Sequence, residues 1–147
     1  MEPRMSCVHP LDWQAALRDL KADRSALPEV REERLRTSSV HRGPFVLQLS
    51  AWRGRSGRRY VVGVHSLKTL RVDDFDSCVA VAVRRNGDMI AEVEFVAEVS
   101  CEMVATGFMA VARRAGITEV HIHRLAGSFA EREAIAADLA PLMVKAA

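Results

Sequence analysis

Residues 78–96 read CVAVAVRRNGDMIAEVEFV, and the architecture of the chain follows from this segment. Two runs of alternating residues flank Asn86-Gly87, a pair that favours the positive φ angles of a two-residue type I′ turn. Such a turn sets Arg85 opposite Asp88 and thereby the register of a β-hairpin. One face of this hairpin then carries mostly small residues, namely Cys78, Ala80, Ala82, Ala91, Val93 and Phe95. We therefore predict that a helix packs closely on this face.

Segments on both sides extend the hairpin into a larger domain. Alternating residues predict strands over 45–52, 60–67 and 117–125, and helical spacing of apolar residues predicts helices over 100–115 and from Ser128 onward. The expected buried stripes of the two helices are Val104, Phe108, Val111 and Ala115, and Ile135, Leu139 and Leu142. The predicted fold class is α+β, with a mostly antiparallel sheet of about five strands (two hairpins plus a crossover strand) and helices packed on at least one face.

The first 42 residues differ in character from the rest. Trp13, Leu17 and Leu20 recur at helical spacing, which predicts an amphipathic helix. Residues 29–36 alternate acids and bases, a pattern typical of a solvated helix or arm. We divide the chain into an N-terminal helical region, residues 1–42, and an α+β sheet domain, residues 43–147, within one compact domain.

Composition, net charge and cysteine number limit the classes of protein to which the chain can belong. Of 147 residues, 49% are hydrophobic and 27% charged, which is ordinary for a folded domain. The net charge of +2 is too small to indicate a nucleic-acid or membrane partner by itself. Cys7, Cys78 and Cys101 are odd in number, which favours reduced thiols. Because no secretory signal or membrane span is visible, we expect a cytoplasmic protein.

Four arginines lie at the tip of the predicted hairpin that joins strands 45–52 and 60–67. They are Arg53, Arg55, Arg58 and Arg59, and the aromatic residues Trp52 and Tyr60 flank them. Guanidinium groups bind phosphates and aromatic rings stack on bases, so this tip is a candidate site for nucleic acid or another anionic ligand. We favour the alternative interpretation, a solvated tip that keeps an edge hairpin soluble.

Two pairs of polar residues share strand faces and form a candidate pocket. His121 and His123 alternate along strand 117–125, and Glu92 and Glu94 alternate along the second strand of the central hairpin. Carboxylates held together are suited to acid–base chemistry and imidazoles to metal binding. A metal site needs three or four ligands, and no further ligand motif accompanies these pairs. We therefore predict no metal and no cofactor, and we interpret both pairs as parts of a polar sheet face.

The chain resembles the central part of the GNAT acyltransferases over residues 78–125. The resemblance rests on the antiparallel strands, a helix ending Ala112-Arg113-Arg114-Ala115-Gly116, and the following strand Glu119 to Leu125. It implies an enzyme that binds acyl-coenzyme A through a glycine-containing loop at the helix start. The equivalent residues 98–103 read EVSCEM, without glycine, so we carry over the topology alone.

The favoured function is a small non-enzymatic binding or regulatory module. No phosphate-binding loop, Gly-x-Ser-x-Gly or kinase signature occurs, and no catalytic set converges in the predicted fold. The expected partner is another protein or a second copy of the chain, contacted by the N-terminal helix lying in a groove. A GNAT-like enzyme and anionic-ligand binding through the arginine tip stay open as alternatives.

Overall fold

The computed structural model describes residues 29–33, 35, 39–42 and 45–142. The strands are β1 (Arg31–Glu33), β2 (Ser39–Arg42), β3 (Phe45–Arg53), β4 (Arg59–Ser66), β5 (Cys78–Arg85), β6 (Ala91–Val99) and β7 (Glu119–His123). The α-helices are α1 (Glu102–Arg114), between β6 and β7, and α2 (Phe129–Leu139), after β7; a 3-10 turn spans Val72–Asp74. These elements confirm the predicted α+β class.

The sheet is antiparallel at every pairing. Its strand order is β1-β3-β4-β7-β5-β6, and β2 pairs with β3 on the edge that β1 also uses. Strand β7 inserts between the hairpins β3–β4 and β5–β6 and pairs with β4 and β5. The two strands joined by α1, β6 and β7, are therefore separated by β5. The sheet also curls, so that the edge strand β1 contacts β6.

Residues 29–36 do not form the predicted solvated helix or arm where the structure describes them. Arg31–Glu33 is a strand that pairs with β3, in the register Glu32 opposite Trp52. The physical reason is that both acids find cationic partners across the sheet, Glu32 at Arg85 and Glu33 at Arg53. The amphipathic helix predicted around Trp13, Leu17 and Leu20 lies outside the described residues.

The loop of the β5–β6 hairpin is longer than predicted. Arg85 pairs with Ala91 instead of Asp88, and Met89, with φ of 65°, is the left-handed residue. The side chain of Asn86 accepts hydrogen bonds from the backbone N–H of Asp88 at 2.8 Å and of Ile90 at 3.1 Å. Asn86 thus folds a five-residue loop around itself, in the manner of an Asx turn.

A β-bulge then changes which residues of β6 share a face. Ala82 pairs with Phe95 whereas Val83 pairs with Val93, which leaves Glu94 as the extra residue. Phe95 therefore joins the small residues of β5, as predicted. The bulge moves Ala91 and Val93 to the opposite face, and the prediction for these two residues was wrong.

Each face of the sheet carries one helix and one apolar core. On the α1 face, Cys78, Ala80 and Ala82 of β5 lie in the same cluster as Phe108 and Met109 of α1. On the α2 face, the cluster contains Trp52, Tyr60, Val62, Val79, Val81, Val83, Ala91, Ile135 and Leu139. Both faces of the sheet are thus covered in its central region.

The buried stripe of α1 differs from the predicted one. The buried residues are Ala105, Phe108, Met109 and Ala112, and Ala115 is half-buried. Val104 and Val111 are 39% and 47% exposed. The helix turns two alanines toward the sheet, because small residues on both partners allow the closest approach. In α2, Ile135 and Leu139 are buried as predicted, but Leu142 lies beyond the helix and is exposed.

Phe108 should be the main apolar anchor of α1. Its ring packs against Phe95 at 5.0 Å and Phe75 at 5.7 Å between centroids. We expect Phe108→Ala to lower the free energy of unfolding by about 3–5 kcal/mol, because it leaves a cavity in the core. The control Val111→Ala, on the exposed side of the same helix, should cost less than about 0.5 kcal/mol. Urea denaturation followed by circular dichroism measures both, and similar losses in the two variants would contradict this packing.

Candidate functional site

The two histidines of β7 are buried, contrary to the expected polar sheet face. His121 is 0% and His123 5% exposed. Both lie on the α2 face, where His121 packs against Trp52 and His123 against Tyr60, with ring centroids 5.8 and 5.6 Å apart. The apolar cluster around α2 covers this face, which alternation of side chains alone does not reveal.

Hydrogen bonds define the protonation of His121. The indole Nε1–H of Trp52 donates to Nδ1 of His121 at 2.8 Å, so Nδ1 must be the unprotonated acceptor. The proton of the neutral ring is therefore on Nε2, which donates to Oε1 of Glu119 at 2.6 Å. Both ring nitrogens are engaged, and neither is available as a metal ligand or as a general base.

Glu119 and Glu32 hold the guanidinium of Arg85 between them. Arg85 donates to both carboxylate oxygens of Glu119, at 2.7 and 2.9 Å, in a bidentate arrangement. It also donates to Oε1 of Glu32 at 3.2 Å, and the hydroxyl of Ser50 donates to Oε2 of Glu32 at 2.7 Å. We call this group of side chains the polar network: Ser50, Trp52, His121, Glu119, Arg85 and Glu32.

The network has marked electrostatic effects. The hydrogen bond from His121 has the largest effect on the pKa of Glu119, and it lowers that pKa. Burial raises the pKa, and the hydrogen bond from Arg85 lowers it. The resulting pKa of Glu119 is about 2. The hydrogen bond to Glu119 in turn raises the pKa of Arg85. One cation faces two anions, with a neutral imidazole behind them. The arrangement joins β1, β3, β5 and β7 and leaves no unpaired reactive group among its members.

A groove of about 610 Å³ opens beside the network. It lies between β1, the β5–β6 loop and the chain that follows α2, and Glu32 and Arg85 form part of its wall. Met89, Ile90 and Leu142, which also line it, are 69%, 59% and 65% exposed. The groove thus combines the paired charges of Glu32 and Arg85 with apolar side chains that are exposed to solvent.

Most of the arginine tip is engaged within the chain. Arg53 and Arg59 form ion pairs with Glu33 at 2.9 and 3.0 Å. The guanidinium of Arg55 donates to the carbonyl oxygens of Ala137 and Ala140, at the negative end of α2. Of the four arginines, Arg58 alone has no ion pair or side-chain hydrogen bond to another described residue.

The two aromatic residues of this tip are not presented to solvent. Trp52 is 0% and Tyr60 9% exposed, so neither ring is available for stacking on a base. The hydroxyl of Tyr60 donates to Oδ2 of Asp138 at 2.7 Å, and Ser56 donates to the same carboxylate through its backbone N–H and its hydroxyl. Burial raises the pKa of Asp138, but these hydrogen bonds outweigh it and the net shift is downward.

The structure does not bring together the two acids and two imidazoles of the candidate pocket. Glu92 and Glu94 are exposed on β6, and Glu94 lies 3.3 Å from Arg84 in a surface ion pair. Arg84 also donates to the carbonyl oxygen of Ala115, which places it on the α1 side of the sheet. The acids and the histidines are separated because the bulge and the register direct them to different parts of the sheet.

The chemistry of the remaining candidates is also limited. Within the described residues, no group of three or more His, Cys, Asp or Glu side chains is arranged to hold a metal ion. Burial raises the pKa of the Cys78 thiol to about 11, which keeps it protonated at neutral pH. Cys101 is exposed at the start of α1.

Sequence reasoning missed Glu32, Arg85, Glu119 and Asp138. One local signal existed, since Glu119 and His121 alternate on β7 and must share a face. The contacts of Arg85 with Glu119 and Glu32, and of Asp138 with Ser56, join residues that lie 34 to 82 positions apart in the chain. No periodicity encodes pairings of that separation.

No family model, curated protein or solved structure matches this chain. Neither described helix has the length and the hydrophobicity that a membrane-spanning helix needs.

The charge of Glu119 should make stability depend on pH. Its pKa of about 2 in the folded protein is below the usual 4.5. A lowered folded-state pKa contributes stability that is present above the unfolded-state value and is lost as the pH falls toward 2. We expect Glu119→Gln to lower the free energy of unfolding at pH 7 by about 1–2 kcal/mol and to flatten its decline in acid.

Denaturant titrations from pH 7 to pH 2 measure this effect. Glu92→Gln is the matched control, because Glu92 is exposed on β6 and lies outside the network. It should change neither the stability at neutral pH nor the acid decline. An unaltered acid decline in Glu119→Gln would show that the network does not hold this carboxylate in its charged form.

Gly54 should be required for the contact between the β3–β4 loop and α2. A Cβ atom at this position would overlap the carboxylate of Asp138. We expect Gly54→Ala to displace Asp138 from Ser56 and Tyr60 and to cost about 1–3 kcal/mol, as overpacking does. Gly87→Ala is the control, since a Cβ there meets nothing within 4 Å. Thermal unfolding distinguishes the two, and an equally stable Gly54→Ala would refute the close approach.

Proposed function

We propose that this chain is a small non-enzymatic binding module that acts through contacts with protein, a second copy of itself included. The observation that carries the proposal is the outer face of α1, formed by Met103, Val104, Gly107, Ala110, Val111 and Arg114. Met103 is 83%, Val111 47% and Val104 39% exposed. Large apolar side chains grouped on one solvent-facing surface are typical of protein interaction sites.

The internal contacts support a binding role over a catalytic one. The buried imidazole of His121 has both nitrogens engaged, and Glu119 is paired with Arg85. Asp138 accepts three hydrogen bonds from Ser56 and Tyr60. General acids, general bases and nucleophiles need an accessible reactive atom. These groups instead hold strands and helices together.

The GNAT-like alternative has less support. The chain entering α1 carries Glu98, whose carboxylate accepts a hydrogen bond from the hydroxyl of Ser100, and Glu102 lies in the first helical turn. Acids at this position repel the phosphates of a coenzyme. The parallel strands β6 and β7 are also not neighbours.

The arginine tip is likewise a weaker candidate. Arg53 and Arg59 both form ion pairs with Glu33, and Arg55 caps the end of α2. Binding of a nucleic acid or another anion through Arg53, Arg55 or Arg59 would compete with these contacts.

The N-terminal segment keeps its proposed role as a second contact region. Strands β1 and β2, which lie within residues 1–42, belong to the sheet. The residues proposed to dock in a groove of a partner are Trp13, Leu17 and Leu20. We also propose a cytoplasmic location, which the free thiols of Cys78 and Cys101 support.

Site-specific photo-crosslinking tests the binding function. A benzophenone amino acid in place of Met103 should give a discrete protein adduct when cells expressing the full chain are illuminated. The same probe in place of Lys68, an exposed residue of the turn after β4, should give none. Val111→Asp introduced beside the probe should abolish the adduct, because a charge replaces an apolar contact on the same face. Absence of any adduct at position 103 would contradict the proposed function.

A further inference from the structure

The groove beside β1 carries exposed apolar side chains that the two cores do not use. Met89, Ile90 and Leu142 line it and are 69%, 59% and 65% exposed. The first two lie in the β5–β6 loop and the third lies beyond α2, and none of them belongs to either apolar cluster. The volume of about 610 Å³ is within the range typical of ligand-binding clefts.

The charges of the groove that lack a partner among the described residues are acidic. Glu29, Asp88 and Glu92 line it and form no ion pair with another described residue. Each arginine in its wall already has a partner within the chain; these are Arg31, Arg55 and Arg85. The groove is therefore suited to a segment that presents large apolar side chains beside basic ones.

The described chain begins and ends at this groove. Glu29 is the first described residue and Leu142 the last, and both line it. Residues 22–28 span at most about 23 Å, at about 3.3 Å per residue, so residues 10–21 can reach the groove from its own edge. A segment on so short a tether has an effective concentration in the millimolar range, which exceeds that of a second copy in micromolar solution.

Residues 10–21, which read PLDWQAALRDLK, lie outside the described residues and have an apolar stripe when placed on a helix. At 3.6 residues per turn, Trp13, Leu17 and Leu20 lie within about 60° of one another around the helix axis. The stripe extends about 10 Å along the axis, at 1.5 Å per residue. It supplies the large apolar side chains that the groove requires.

The charged residues of this segment are separated to the two sides of the stripe. On the same projection, Lys21 and Arg18 lie about 80° and 140° from Trp13 in one direction. Asp12 and Asp19 lie about 100° and 120° from it in the other direction. The segment therefore has a basic flank and an acidic flank, with the apolar stripe between them.

We propose that residues 10–21 occupy the groove of their own chain as an amphipathic helix, with the apolar stripe against its exposed apolar side chains. The basic flank then faces the β5–β6 loop, where Asp88 lies, and the acidic flank is directed away from it. This inference goes beyond the proposed function, because it gives the segment a place within its own chain. A partner that binds the same stripe must first displace the segment, so the groove competes with the partner.

The two tryptophans of the chain provide the decisive measurement. Trp52 is 0% exposed and serves as an internal reference that acrylamide does not quench. In the full chain Trp13 should be protected as well, because the groove covers it. Ile90→Asp should make one of the two tryptophans quenchable, whereas unfolding would expose both. The control Leu125→Ser removes an exposed apolar side chain outside the groove and should leave Trp13 protected. A quenchable Trp13 in the unaltered chain refutes the proposal, and so does a protected one in Ile90→Asp.

Charge exchange tests the orientation of the segment. Asp88→Lys should raise the acrylamide quenching constant of Trp13 at least about twofold, because like charges then oppose each other across the contact. Arg18→Glu with Lys21→Glu should do the same, and all three changes together should restore protection. As a control, Asp12→Lys with Asp19→Lys alters the acidic flank and should not restore protection to Asp88→Lys. Failure of the triple variant to regain protection, or recovery through the acidic flank, overturns the proposed arrangement.

Photo-crosslinking identifies the occupant of the groove. A benzophenone amino acid in place of Met89 in the dilute full chain should link to residues 10–21 of the same chain, in an adduct with the mass of one chain. A link to a second chain, a link to residues 143–147, or no link overturns the proposal; peptide mass spectrometry distinguishes these outcomes. None of them affects the test of the proposed function, because the probe at position 103 reports on α1.

Discussion

The bridge from Arg85 to Glu32 and Glu119 is the contact on which the shape of the sheet depends. It joins the edge strand β1 to the interior strands β5 and β7, which are not neighbours of β1 in the hydrogen-bonded order. Behind it, Trp52 of β3 and His121 of β7 share a buried hydrogen bond. These links cross the α2 face and hold the curled sheet closed, while α2 packs against the same core.

The same contacts explain why the interior of the protein is a scaffold. A charge that is removed from solvent is stable only when it is paired and hydrogen-bonded, and the half-buried bridge meets that condition because Arg85 contacts both carboxylates. Asp138 does so again where α2 meets the β3–β4 loop. These titratable groups are therefore occupied in contacts that hold the fold together. Exposed apolar side chains lie outside this interior, on the outer face of α1 and along the groove beside β1.

Sequence patterns predicted the candidate site less well than they predicted the elements. Alternation identified His121 and His123 as residues of one strand face, but it could not say that α2 covers that face. The arginines of the β3–β4 tip were visible as a cluster, whereas their partners Glu33 and the end of α2 are distant in the chain. A charged residue shows its type in the sequence, and only folding shows whether an opposite charge is already beside it.

The amino-acid sequence by itself determined the α+β class, five of the strands and both described helices, because periods of 2.0 and 3.6 residues arise from local backbone geometry. The capping serine of α2 is one such local feature, with Ser128 accepting from the N–H of Glu131. The tertiary structure alone decided the insertion of β7 between two hairpins, the bulge that turned Ala91 and Val93 over, and the outward orientation of Val104 and Val111. Those outcomes depend on which surfaces pack together. The contacts that stabilise such packing are made between residues that lie far apart in the chain.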